Sequence, residues 1–453
     1  MRTKISLLSF ILLLIISSCT KEKTDTISIE NVNLIPMNEE VVLKQQRVVI
    51  KGGKIIRIEP NSKKSDYNSK LVIDGTGKYL IPGLSEMHYH LRSNKRGIEK
   101  DLKLMIANGI TTARNMGEFS GQDHISIRNK IRSGELMGPN YYTTGPYLRT
   151  KNFPDIETVI KIVKEHKEKG YDYLKIGDGY TLPKDIYLKI LEEAKKQGVV
   201  VIGHAQHSLP LEYSLRMKSI EHVEEFVYTL NHKEGRMFPI VLNFETSFLN
   251  KAAEQIKKSG IYVAPTIVVF DYIIQYLDDE KFELLKKDET SIHLNLKDSI
   301  SYLTEDNEYR MNFKGKEING LKYEDLYEDY LKWMRVFTKV LSDHEVLLLT
   351  GSDTFGMVIV GYSLHQEFVL LQEIGLSPFQ VLKASTVTAA KYLDVFDLEG
   401  TISEGKNANL VLLNKNPLDD IKNTTTIEGV MLKGEWLDRA RLDAMLKESA
   451  TRE

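Results

Sequence analysis

The chain has 453 residues, 42 % of them hydrophobic and 27 % charged, a globular composition that argues against a disordered protein. Its formal net charge of -2 leaves no basic face for nucleic acid. A length of this order calls for one large domain and a smaller one.

At the start, Arg2 and Lys4 precede an apolar run over residues 7–16, closed by Ile16-Ser17-Ser18-Cys19. A basic start, a short apolar segment and small residues describe a secretory signal; spanning a bilayer takes about 20 apolar residues. The pattern resembles the lipobox of bacterial lipoproteins. It implies a signal over residues 1–18, lipidation of Cys19, a polar tether over 19–26, and an exported, membrane-anchored protein on the periplasmic or cell-surface face. Cys19 is the only cysteine, so the mature chain uses no disulfides.

Residues 27–80 alternate in short apolar runs such as Val48-Val49-Ile50 and Ile55-Ile56-Arg57-Ile58, with Gly52-Gly53 placed as a hairpin turn. The same texture returns in Asn409-Leu410-Val411-Leu412-Leu413. Residues 27–80 and 396–440 are therefore expected to form one small composite β-sandwich domain.

Residues 81–395 alternate strand and helix. Strands are predicted at 84–90, 111–116, 141–145, 173–177, 199–204, 219–223, 261–269 and 346–352, with helices over 156–169, 184–197 and 248–259. Gly170, Gly198 and Gly260 sit where left-handed C-caps belong. This alternation predicts an α/β fold, a (β/α)8 TIM barrel; an open doubly wound sheet would want a Gly-rich phosphate loop after its first strand. Residues 272–341, about 70 in all, exceed an ordinary connection and read as a helical insertion, a lid over the barrel mouth that carries the chemistry.

Candidate ligands recur at the strand ends. His88-Tyr89-His90 places two imidazoles on one face of the first barrel strand, because residues i and i+2 project alike. Alone, such a pair arises by chance. His204, however, ends the fifth strand, His222 the sixth and Asp353 the eighth, and this nitrogen and oxygen set suits zinc or a similar divalent ion. Lys175 lies inside the apolar Tyr173-Leu174-Lys175-Ile176-Gly177, where an ammonium is costly unless paired, for instance with Asp178. In the barrel register it ends the fourth strand facing the histidines, where reaction with carbon dioxide gives a carbamate able to bridge two metals.

These residues resemble the amidohydrolase superfamily, and within it the Xaa-Pro dipeptidases and imidazolonepropionase-like proteins. The resemblance rests on Ile81-Pro82-Gly83-Leu84, Gly109-Ile110-Thr111-Thr112-Ala113-Arg114, Ser219-Ile220-Glu221-His222, Gly351-Ser352-Asp353, Ala384-Ser385-Thr386-Val387-Thr388-Ala389-Ala390 and Glu404-Gly405-Lys406. It implies that His88, His90 and Asp353 hold one metal, that His204 and His222 hold the second, and that carbamylated Lys175 bridges them. Glu86, Asn115 and Asn409 stand where the family usually has aspartate, and none of the three departures removes a ligand.

Two divalent ions sharing a water lower its pKa and supply hydroxide, with Asp353 as the proton shuttle. The expected substrate is small: an amide, a dipeptide ending in proline, or a cyclic amide. Tyr228 is the expected substrate contact, with His207 and His365 as further candidates. Competing readings are a one-metal deaminase or imidazolonepropionase-type enzyme, an ester or lactone hydrolase, and a binding lipoprotein without turnover. Lys175 favours two metals, and the intact ligand set favours turnover.

Overall fold

The computed structural model describes residues 24–91, 97–177, 179, 182–231 and 238–450. Cys19, the segment before it and Asp178 lie outside the described residues. Among the described residues, no helix is long and apolar enough to cross a membrane.

The strands in chain order begin with β1 (Thr24–Leu34), β2 (Leu43–Lys51), β3 (Lys54–Pro60), β4 (Ser69–Asp74) and β5 (Tyr79–Pro82). The middle of the chain supplies β6 (Leu84–Tyr89), β7 (Ile110–Asn115), β8 (Asn140–Thr143), β9 (Tyr173–Ile176), β10 (Val200–Gly203), β11 (Ser219–Glu221) and β12 (Tyr262–Ala264). A short hairpin, β13 (Glu317–Ile318) and β14 (Leu321–Lys322), precedes β15 (Leu347–Leu348). The last are β16 (Leu410–Leu413), β17 (Ile427–Leu432) and β18 (Glu435–Asp438).

Both ends of the chain meet in a single sheet of order β18-β17-β16-β5-β1-β2-β3, with β4 also paired to β1. This corrects the expected sandwich of two sheets. The 11-residue β1 carries β2 along one edge and β4 followed by β5 along the other, so all the strands share one ladder. Ile29, Val48, Leu80, Leu410 and Met431 pack in one apolar cluster drawn from both chain ends. Gly52 and Gly53, both at positive φ, make the β2–β3 turn. Thr24 to Thr26, expected as tether, already belong to β1, and Thr26 Oγ1 lies 2.9 Å from Ser69 Oγ.

The site-bearing strands are all parallel. β6-β7-β8 form one sheet and β9-β10-β11-β12-β15 another. The expected closed barrel is thus a barrel-like pair of sheets. One seam is joined by the parallel bridges Thr144↔Tyr173 and Leu148↔Ile176. The other is joined by Met87 N–H donating to Thr350 O at 2.9 Å. Regular pairing fails at this second seam because β15 is only two residues long and Gly351 presses on β6; a Cβ there would lie 2.6 Å from His88 Cβ. Helices Ile156–Lys169 and Lys184–Gln197 coincide with the predicted spans, and Gly170, Gly198 and Gly260 are left-handed C-caps.

The predicted seventh strand is shorter than expected. β12 stops at Ala264, Pro265 intervenes, and Ile267–Leu277 is a helix. An apolar run without period serves a buried helix as well as a buried strand. Short helices and then the β13–β14 hairpin follow, leading into the 21-residue helix Tyr323–Asp343, which buries Leu326, Tyr330, Trp333, Phe337 and Leu341 at helical spacing. Tyr330 OH donates to Pro239 O at 2.7 Å and Trp333 Nε1 to Asn243 O at 2.8 Å, tying this helix to the segment after the sixth barrel strand.

Candidate metal centre

Strand alternation delivers His88 and His90 to one side of the end of β6, with their Nε2 atoms 3.3 Å apart. Asp353 follows β15, its backbone N–H donating to His88 O at 2.7 Å. Its Oδ1 lies 3.1 Å from His90 Nε2 and 3.6 Å from His88 Nε2, and its Oδ2 lies 4.0 Å from His222 Nε2. His88, His222 and Asp353 present donor atoms all within 4.8 Å of one another. The His222 ring centroid is 4.6 Å from that of His88 and 5.1 Å from that of His204. Lys175, almost fully buried at the end of β9, places Nζ 3.2 Å from His88 Nε2 and 4.8 Å from the centre of the Tyr147 ring. His204 is the most open member, its side chain 28 % exposed.

Three imidazoles are held from behind. His88 Nδ1 lies 3.2 Å from Glu221 Oε2, His222 Nδ1 lies 2.7 Å from Thr266 Oγ1, and His204 Nδ1 lies 2.7 Å from Glu225 Oε1. With both glutamates accepting, the proton of His88 and of His204 sits on Nδ1 and the Nε2 lone pair is left for a ligand. Nε2 atoms and a carboxylate converging on one volume form a donor set that a divalent cation satisfies. Burial, reinforced by Lys175, pushes the His88 imidazole well below its usual pKa, and burial brings His222 down to about 4. Burial acts to raise Asp353, yet His88, His90 and His222 outweigh it and hold the carboxyl well below the usual range. Neutral imidazoles at His88 and His222 beside an ionised Asp353 carboxylate are the protonation states that metal binding needs.

The backbone there is strained. His222, Thr266 and Asp353, at the ends of β11, β12 and β15, take φ of 74°, 50° and 50°. Left-handed backbone at such residues costs about 1–3 kcal/mol each and concentrates at functional sites.

The sequence-predicted residues do not all share this geometry. Tyr228, on the helix Glu224–Asn231, packs its ring 4.8 Å from that of His207, and His207 Nε2 lies 2.6 Å from Glu225 Oε2. His365 is buried in the helix Tyr362–Ile374, with Nδ1 2.9 Å from Thr424 Oγ1 and Nε2 3.0 Å from Asn108 O. Glu86 lies beneath the site, accepting from His88 N and from Ser352 N and Oγ, with burial pushing it up to about 7.

Four residues escape sequence reasoning. Tyr147 OH lies 3.2 Å from His90 Nε2, and its ring is wedged between Gly117 and Gly177, where added Cβ atoms would come within 2.3 and 2.8 Å of it. Thr266, Glu225 and Arg114 complete the set; only Arg114 stands in a motif that drew notice.

Residues 79–437 match the amidohydrolase family. The chain is similar to the 5-methylthioadenosine/S-adenosylhomocysteine deaminase of Clostridium tetani, 25 % identical over 286 residues, or 60 % of this chain and 62 % of that one. The match therefore spans less than two thirds of that relative's length. Among solved structures, a Xaa-Pro dipeptidase with bound methionine superimposes at a TM-score of 0.65 and 20 % identity, over 91 % of this chain and 100 % of that one. A bottromycin amidohydrolase superimposes at 0.71 and 18 % identity, over 95 % and 92 %. At these identities the likeness to the solved structures is one of fold.

Proposed function

The chain belongs to the amidohydrolase family, and from that premise we propose that it hydrolyses a carbon–nitrogen bond in a small substrate, an amide such as a dipeptide ending in proline or a cyclic amide. The observation that carries this reading is the convergence of His88, His222 and Asp353, with His88 and His204 each anchored through Nδ1 on a buried glutamate. In this reading His88, His90 and Asp353 would hold one divalent ion, His204 and His222 would hold a second, and Lys175, as its carbamate, would serve both. When bound, such ions, zinc in the first instance, acidify water and polarise a carbonyl oxygen.

The chain's own residues supply the rest. Glu221, Thr266 and Glu225 fix the imidazole planes. Asp353 receives a proton on a carboxylate oxygen from the attacking water and returns it to the leaving nitrogen. Tyr228, with Tyr330 of the long insertion helix 6.0 Å away, forms an aromatic wall for the substrate side chain.

The test is a screen of dipeptides and cyclic amides on zinc-loaded protein, with and without a chelator. Hydrolysis abolished by the chelator and restored by zinc is expected. Failure to hydrolyse any amide or ester in a metal-dependent way sinks the proposal. A one-metal deaminase is the second reading, favoured by the compactness of the His88, His222 and Asp353 trio beside a partly exposed His204. Elemental analysis separates the two, at two metals per chain or one. The same proposal includes the exported lipoprotein anchored through Cys19.

A further inference from the structure

Arg114 is one of the largest fully buried side chains of the molecule, at 0 % exposure in β7. A guanidinium there requires partners on all sides. Its Nε donates to Met87 O at 2.7 Å, the carbonyl just before His88. Its Nη1 donates to Tyr392 OH at 2.5 Å, and its Nη2 to Glu221 Oε2 at 2.7 Å. The rings of Tyr392 and Tyr173 lie 4.7 and 5.9 Å from its Cζ. Glu221, equally buried, receives Ser219 Oγ on Oε1 at 2.6 Å and the His88 imidazole on Oε2.

We propose that Arg114 and Glu221 form a buried positioning pair that sets the tautomer and plane of the His88 imidazole for metal binding. The inference rests on the metal-site reading above and concerns only this chain's residues. Three features carry it. The carboxylate oxygen that Arg114 holds is the same atom that His88 Nδ1 meets, so the guanidinium fixes where the acceptor stands. Arg114 also grips the backbone entering His88, so ring and main chain are located by one group. The planar fork cannot be replaced by an ammonium, because three acceptors lie in different directions. Arg114 and Glu221 touch no reacting atoms; they act through His88.

A staple that merely holds β6, β7 and β11 together is the competing account, and it predicts a different pattern. The measurement is zinc affinity, by competition with a chromophoric chelator, together with the visible spectrum of the cobalt-loaded protein and thermal unfolding of the metal-free form. Glu221→Gln retains volume and an acceptor but removes the charge; the double variant Arg114→Met with Glu221→Gln leaves no uncompensated charge if the single one fails to fold. Both are expected to bind zinc about 10- to 100-fold more weakly and to alter the cobalt spectrum. Tyr392→Phe, which removes a partner of Arg114 but not of His88, is expected to keep zinc affinity within about twofold, well inside the loss expected on disturbing the acceptor of a ligating histidine. Zinc affinity and cobalt spectrum unchanged in a folded Glu221 variant overturn the inference. Absence of stoichiometric zinc in the wild-type chain overturns instead the metal-site reading beneath it.

Discussion

Asp353 Oδ1 stands 3.1 Å from His90 Nε2, across the seam where β15 meets β6. The carboxylate so placed has two duties in the proposed reaction, as a metal donor and as the proton carrier. Asp353→Asn keeps the shape and abolishes the basicity. It is expected to lower kcat by about 10²–10⁴-fold. Steady-state kinetics on a substrate identified by the screen, alongside metal analysis, checks this; wild-type kcat in the variant removes Asp353 from proton transfer.

Lys175 is almost fully buried, with its Nζ 3.2 Å from His88 Nε2. Lys175→Ala is expected to reduce the metal content from two ions per chain to one or fewer. Labelled bicarbonate is expected to give a carbamate carbon signal in wild-type protein and none in the variant. A content near one metal per chain, unchanged in the variant, points to the one-metal deaminase reading.

Glu367 supports the site from further away. Its carboxyl accepts the N–H groups of Ile267 and Val268 at 3.2 and 2.8 Å, opening the helix after Thr266, and burial pushes its pKa up to about 8. The folded chain therefore holds a proton that the unfolded chain releases near 4.5. Its stabilising effect is complete below that lower value and is lost as pH rises through the window to about 8. Glu367→Gln carries no such proton. The metal-free wild type is expected to lose stability over this window more steeply than the variant, by at most about 1.4 kcal/mol per pH unit. Urea unfolding across that range tests it, and parallel curves reject it.

Trp333 is fully buried in the insertion helix Tyr323–Asp343 and donates to Asn243 O. Trp333→Ala is expected to destabilise the protein by about 3–5 kcal/mol, with a lowered Tm, because a large cavity opens and a backbone carbonyl loses its partner. A loss below about 1 kcal/mol would mean that the helix rests loosely on the body, since surface-like sites rarely cost more.

Cys19 lies outside the described residues, and the prediction there comes from sequence alone. If, as proposed, acyl chains on Cys19 provide the attachment, the chain expressed in a bacterium is expected in the membrane fraction and Cys19→Ser in the soluble one. Identical fractionation of the two removes the lipid anchor.

Much of the scaffold is legible because local signals agree. Amphipathic runs ended by Gly170 and Gly198 mark helices whose caps are left-handed. The strand ends proposed to carry ligands are visible for a similar reason: each follows a run of β-formers, and parallel strands bring such ends to one rim. The seventh strand is not, because Ile261 to Val269 lacks a period and Pro265 divides it. Nor does local sequence mark Tyr147 or Glu225, which reach the histidines through loops and helices whose placement is a tertiary matter. Glu221 stood inside a quoted motif beside His222, but nothing in one dimension says that it turns towards His88.

β5 reaches its antiparallel partner only when Leu410 to Leu413 meet Tyr79 to Pro82, and Gly83 alone separates β5 from the strand that carries His88 and His90. On the ribosome the first half of the chain emerges with that edge bare, and it stays so until residues 410–413 have been made. Ordering of the strand that carries His88 and His90 is thereby tied to the synthesis of residues 410–413. A prematurely terminated chain would offer histidines without the sheet that steadies them, and an unpaired strand edge of the kind that recruits other chains.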